Sequence, residues 1–183
     1  MEASTAKKAA MAGASLVLVT LCAAQFLMTL DTSVMNVAIA TVAKDCNTTV
    51  TGVQTAITLY ALVMAALMIT GGKIGALIGR KRAFSIGCVI YGAGSFTTSL
   101  AHSLTVLIIG WSFLEGVGAA LILPAVVALV AANFPAEQRP KSYGLVSAAG
   151  AVAVAVGPLI GGLSGTARGG RPGSHRLRPA PRC

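Results

Sequence analysis

Asp31 lies deep in the first long apolar run of the sequence and Glu115 deep in the fourth, two carboxyls where polarity is costly. A charge at the centre of a bilayer costs about 3 kcal/mol or more, so such residues face the interior of a helix bundle and serve a purpose there. One purpose is structural, a hydrogen bond that ties helices together. The other is proton carriage, because a carboxyl in a poorly hydrated cavity can load and release a proton near neutral pH. At roughly 100° per residue, Gln25, Thr29, Thr32 and Asn36 fall within about 60° of one another and form a polar stripe suited to lining a hydrated cavity. Asp31 points about 120° away from that stripe, toward a neighbouring helix. In the fourth run, Ser112 and Glu115 stand at a spacing that places them on one face of an α-helix.

Other chemistries lack their residues. In GGKIGALIGRKR, Gly71 to Arg82, Lys73 directly follows Gly72 and Arg80 directly follows Gly79, so neither the phosphate-binding loop nor the dinucleotide fingerprint is met. There is no His-Glu-x-x-His zinc pattern, no Gly-x-Ser-x-Gly elbow and no Ser/His pair within an apolar run. His102 sits at the edge of a run and His175 in the C-terminal tail. Cys22 and Cys88 read as small apolar residues, and the spacing of Cys46 and Cys183 fits no metal or disulfide framework. The sequence predicts no enzyme, no metal and no organic cofactor.

The elements that must position these groups are set by composition. Of 183 residues, 55% are hydrophobic and 10% charged, against about 25% charged in a soluble domain. Since about 20 apolar residues span a bilayer as a helix, five spans are expected, over 14–43, 53–71, 83–101, 104–132 and 144–163. The fold class is therefore an all-α integral membrane protein: a segment 1–13, a transmembrane domain 14–163 in the lipid bilayer, and a basic disordered tail 164–183. The first run, preceded by Lys7 and Lys8, is too long for a cleaved signal peptide. The net charge of +9 does not indicate nucleic acid, because the cations are sorted by position. With the N-terminus inside, Lys7, Lys8, Lys73, Arg80, Lys81, Arg82, Arg139 and Lys141 are all internal, and Lys44 alone lies in the outer loops of the five-span region. The positive-inside tendency then makes this a multi-pass protein of the plasma (inner) membrane with a cytoplasmic N-terminus. Gly71, Gly75 and Gly79, and likewise Gly157, Gly161 and Gly165, repeat every four residues, which lets helix backbones approach closely. Pro124 is expected to kink the fourth span.

Four segments resemble the major facilitator superfamily, and more narrowly the N-terminal part of its fourteen-helix drug:proton antiporter branch. LDTSVMNVAIA resembles the first-helix motif, with Asp31 and Asn36 in place and Ala40 where proline is usual. GGKIGALIGRKR resembles the loop motif after the second helix through Gly72, Lys73, Gly79, Arg80, Lys81 and Arg82, with Ala76 at the position of an acid. LIIGWSFLEGVGAALILP resembles the fourth-helix motif at Gly116 and Gly118, with Ser112 at the arginine position and Glu115 at the usual glutamine. Gly144 and the run Gly157, Pro158, Gly161 and Gly162 resemble the antiporter motif of the fifth helix, with Ala153 replacing one glycine.

The resemblance implies five helices of an incomplete six-helix N-terminal transporter bundle. It implies proton-coupled efflux of a small amphipathic substrate or drug, with the proton gradient as energy source. In that family the glycine-rich loop packs tightly while its cations grip helix ends and lipid phosphates, holding one face closed. Its partner would be the missing remainder of the transporter. The tail GTARGGRPGSHRLRPAPRC carries five arginines toward the outer face, against the positive-inside tendency, and reads as out-of-frame translation of a truncated gene. The competing reading is a non-transporting membrane protein that packs against partner helices through its glycine ladders.

Overall fold

An apolar segment in lipid must satisfy its own backbone, and a helix does so within the segment. The computed structural model describes residues 2–169, with side chains over 13–161, and among them every regular element is helical. These are α1 (Glu2–Val37), α2 (Ile39–Asp45), α3 (Val50–Ile78), α4 (Arg80–Ser99), α5 (Leu104–Leu107), a π-helical segment (Ile108–Glu115), α6 (Gly116–Asn133) and α7 (Arg139–Gly169). The side chain of Thr49 caps α3 by accepting from Gly52 N at 3.1 Å, and Ser103 caps α5 in the same way.

Among the described residues, four stretches are long and apolar enough to cross a membrane: Gly13–Val37, Val50–Ile78, Leu104–Asn133 and Arg139–Gly161. Five were expected. The third expected span is a helix, α4, but its first turn holds Arg80, Lys81 and Arg82, and its glycines, serines and threonines dilute the apolar content. The first expected span, 14–43, bends at Ala38 (φ −86°, ψ 5°). The second continues past 71 to Ile78, so most of the glycine-rich motif is helical and the turn is Gly79 alone. Its φ of +96° lies where a Cβ is strained, which is why glycine stands there. Pro124 lies inside α6, yet the departure from α geometry in this helix lies upstream, in the π segment. The helix α7 takes in residues 164–169, which composition had assigned to the tail. The rest of the tail, the side chains of Lys7 and Lys8 and the surroundings of Gly162 fall outside what the structure describes.

The bundle has two parts. One is the parallel pair α1 and α7, in which Gly150 meets Gln25, Gly157 meets Ser33 and Gly161 meets Val37; the other packs α3 and α4 on the π segment and α6. Trp111, Val53, Ala56, Ala119 and Val130 form its solvent-free centre. Large apolar side chains also face outward, Leu77 at 85% exposure and Val89 at 72%, a surface suited to lipid rather than water. The turn at Gly79 and the connection from α6 to α7 share one end of the bundle, where Arg80 Nη1 donates to Ala128 O at 3.2 Å. At that end Arg139 Nη2 donates to Ala131 O at 2.9 Å and Arg139 Nε to Phe134 O at 3.1 Å, so two cations hold the carbonyl end of α6.

Candidate proton site

Asp31 is held by two neutral donors. Trp111 Nε1 donates to its Oδ2 at 2.7 Å and Tyr91 Oη to the same oxygen at 3.1 Å. The direction away from the polar stripe was therefore legible, and the partners come from α4 and the π segment. Sequence reasoning missed both, because a lone tyrosine and tryptophan in apolar runs read as packing residues. Trp111 is fixed in turn by stacking on Tyr60 of α3, with ring centroids 4.8 Å apart and planes at 20°. Asp31 lines a cavity of about 480 Å³ between α1 and α4, with Leu27, Met28, Cys88, Tyr91 and Ser95 among its walls.

Glu115 is fully buried. Its Oε1 accepts from Ser95 Oγ at 3.0 Å and from Thr98 Oγ1 at 3.5 Å, while its buried Oε2 has no partner among the described residues. Room for it comes from Gly94: a Cβ there would meet Glu115 Cγ at 2.6 Å and Gly110 O at 2.8 Å. The expectation that Ser112 and Glu115 share a face is corrected. Ser112 Oγ donates to Ala56 O of α3 at 2.8 Å, whereas Glu115 turns to α4. The cause is the π segment, whose turn takes more residues than an α turn and so swings residues three apart onto different faces.

The residues of the expected polar stripe have partners within α1 itself. Gln25 Nε2 donates to Thr29 Oγ1 at 3.2 Å, Thr32 Oγ1 to Met28 O at 3.1 Å and Asn36 Nδ2 to Thr32 O at 2.8 Å. Gln25 also lines a second cavity, of about 590 Å³, shared with α3, α6 and α7. The antiporter-motif residues divide. Gly157 admits Ser33 and Gly161 admits Val37, with a virtual Cβ at Gly161 lying 3.4 Å from Val37 Cβ. Gly144 meets nothing within 4 Å, and Pro158 is exposed. In the loop motif, Lys73, Lys81 and Arg82 are exposed beside Arg80, and Gly72 is half-buried with Pro124 Cβ 3.6 Å from its virtual Cβ.

A bundle of helices long and apolar enough to cross a membrane, with the carboxyls of Asp31 and Glu115 among them, defines an all-helical membrane protein. Comparison with known proteins gives the family. The sequence matches the Major Facilitator Superfamily over residues 21–172, and the chain belongs to that superfamily of transport proteins, which is not a family of enzymes. It is 34% identical over 148 residues to the riboflavin transporter RibZ of Clostridioides difficile, covering 81% of this chain and 32% of that protein. It is 36% identical to the puromycin resistance protein of Streptomyces alboniger, covering 80% and 29%, and 32% identical to the methylenomycin A resistance protein of Bacillus subtilis, covering 80% and 32%. The chain thus spans about a third of the length of these relatives.

Proposed function

We propose that this bundle belongs to a proton-coupled exporter of small amphipathic compounds, of the fourteen-helix antiporter branch, with Asp31 as the proton carrier. The observation that carries the reading is the setting of Asp31: a carboxyl in an apolar helix, held by a tyrosine and a tryptophan instead of a cation, at the wall of an apolar cavity. A group so placed can change charge without breaking an ion pair, which suits a carrier better than a structural tie. The names of the relatives, a vitamin transporter and two antibiotic resistance proteins, support a small organic substrate.

In this reading α4 is a fifth span, since its outward face carries Val89 and Phe96 at 72% and 68% exposure and only its first turn is charged. Gln25, Thr29, Thr32 and Asn36 serve the cavity side. The cations Lys73, Arg80, Lys81 and Arg82, with Gly72 and Gly79, form a cytoplasmic gate built from the end of α3, the turn at Gly79 and the start of α4. Gly157 and Gly161 set the close packing of α7 on α1 that limits leakage, and Gly144, Pro158 and Gly162 are the remaining positions of that antiporter motif. The alternative of a protein that packs against foreign helices is weakened by where its glycines point: Gly71 faces Ala120 of α6, and Gly157 and Gly161 face α1 of the same chain.

The test is a proteoliposome assay in which an imposed pH gradient drives release of a lipophilic cationic dye. Asp31→Asn keeps shape and hydrogen bonding but cannot carry a proton; it should abolish pH-driven release while expression and insertion stay intact. Release at the unsubstituted rate by Asp31→Asn removes Asp31 from coupling.

A further inference from the structure

Two pairs of neighbours close a ring around the carboxyls. Tyr91 and Ser95 are one turn apart on α4, and Trp111 and Glu115 have the same spacing along the π segment. Tyr91 and Trp111 donate to Asp31, while Ser95 donates to Glu115. Side chains at this spacing stand about 5–6 Å apart, so the donors that reach the carboxyls of α1 and the π segment are one turn of α4 apart. They lie within electrostatic reach of each other. The titratable groups around Glu115 are Asp31 from α1, Tyr60 from α3 and Tyr91 from α4, and no Lys, Arg or His faces it among the described residues. Two carboxylates this close in an apolar interior cannot both carry charge without a cation. Oε2 of Glu115 accepts from no donor among the described residues, so it is the atom left to hold a hydrogen.

We propose that Asp31 and Glu115 form a proton-sharing dyad, a refinement that rests on the coupling role given to Asp31 above. The O–H bond of Glu115 breaks as an O–H bond forms on Asp31, leaving Glu115 as a carboxylate held by Ser95 and Thr98; the reverse step restores it, and no electrons change hands. Because Asp31 borders the cavity of about 480 Å³ and Glu115 is sealed from solvent, Glu115 is the store and Asp31 its gate. The glutamine usual at position 115 in the family could not play this part.

The experiment is an infrared titration of the carboxyl bands in the solubilised full chain, with the spectra of the Asp31→Asn, Glu115→Gln double variant subtracted. It requires no transport. The unsubstituted chain is expected to show two proton steps about one pH unit or more apart, and in Asp31→Asn the remaining step should move by about as much from its original position. A single unresolved two-proton step, or an Asp31→Asn step that stays in place, overturns the dyad. Asp31→Ser serves as a second variant if Asp31→Asn does not insert, and the reading on the unsubstituted chain needs no variant. Dye release without a shared titration sinks the dyad and leaves the coupling reading; a shared titration without release sinks the coupling reading alone.

Discussion

At the scale of single residues, the position of Asp31 depends on Trp111 more than on any other group. The indole has two tasks: its face stacks on Tyr60 and its N–H reaches Oδ2 at 2.7 Å. Trp111→Phe keeps much of the first and removes the second. Leaving an interior carboxyl short of a donor is expected to lower stability by about 1–3 kcal/mol, read as a lower unfolding temperature in detergent. Phe113→Ala is the control, because Phe113 is exposed on the same segment and should change stability by about 0.5 kcal/mol or less. An equal loss in both variants would show that the hydrogen bond is not what holds Asp31. A second residue-scale expectation concerns Cys46, which lies in the connection between α2 and α3. Burial and the neighbouring Asp45 carboxylate push its thiol up, so the reactive thiolate is scarce at neutral pH. Alkylation should be slow at pH 7 and accelerate only as the pH rises beyond the range of an ordinary thiol. Rapid alkylation at pH 7 would contradict that environment.

At the scale of elements, the fold turns on how closely α4 meets the π segment and α6. A Cβ at Gly118 would lie 2.8 Å from Tyr91 N and 2.9 Å from Gly87 O, backbone in both cases, so it cannot be relieved by moving a side chain. Gly118→Ala must push the helices apart and is expected to cost about 1–3 kcal/mol. Gly92→Ala on the same α4 meets nothing within 4 Å and should be neutral or stabilising by up to about 1 kcal/mol. Thermal unfolding of the two variants side by side checks the contact, and similar melting temperatures would argue against it. Much of this scale is legible in sequence. The apolar runs mark the helices, and the acids within them mark the interior. What stays hidden has physical causes. Registers assume an α turn, and the π segment from Ile108 to Glu115 breaks that assumption, which is why Ser112 and Glu115 part company. Glycine-rich motifs read as loops, yet Gly72 and Gly75 are helical, Gly72 lying against Pro124 of α6 and Gly75 against Ala83 of α4. Tyr91, Ser95 and Trp111 become site residues only through tertiary contact, and no local pattern distinguishes them from lining.

At the scale of the whole molecule, the charges sort to opposite ends. Lys73, Arg80, Lys81, Arg82, Arg139 and Lys141 gather where the Gly79 turn meets the α6–α7 connection, and Arg80 is tied to α6 there. The other end, where the Cys46 thiol donates to Ala101 O at 3.8 Å, carries Lys44 beside Asp45. Cations in short loops resist translocation, so the first end should be cytoplasmic. The arrangement permits a direct measurement. In a background without native cysteines, Arg82→Cys and Lys44→Cys place one thiol at each end, both at exposed positions. In intact cells an impermeant thiol reagent should label Lys44→Cys and leave Arg82→Cys untouched until the membrane is opened. The same measurement decides whether α4 crosses. If it does, Gly79 and Leu100 lie on opposite sides, so Ser99→Cys should label with Lys44→Cys. If α4 lies along one surface instead, Ser99→Cys will follow Arg82→Cys, and the site between Asp31 and Glu115 will lie near an interface rather than at the depth that proton coupling across a membrane requires. Labelling of Arg82→Cys from outside would invert the topology altogether.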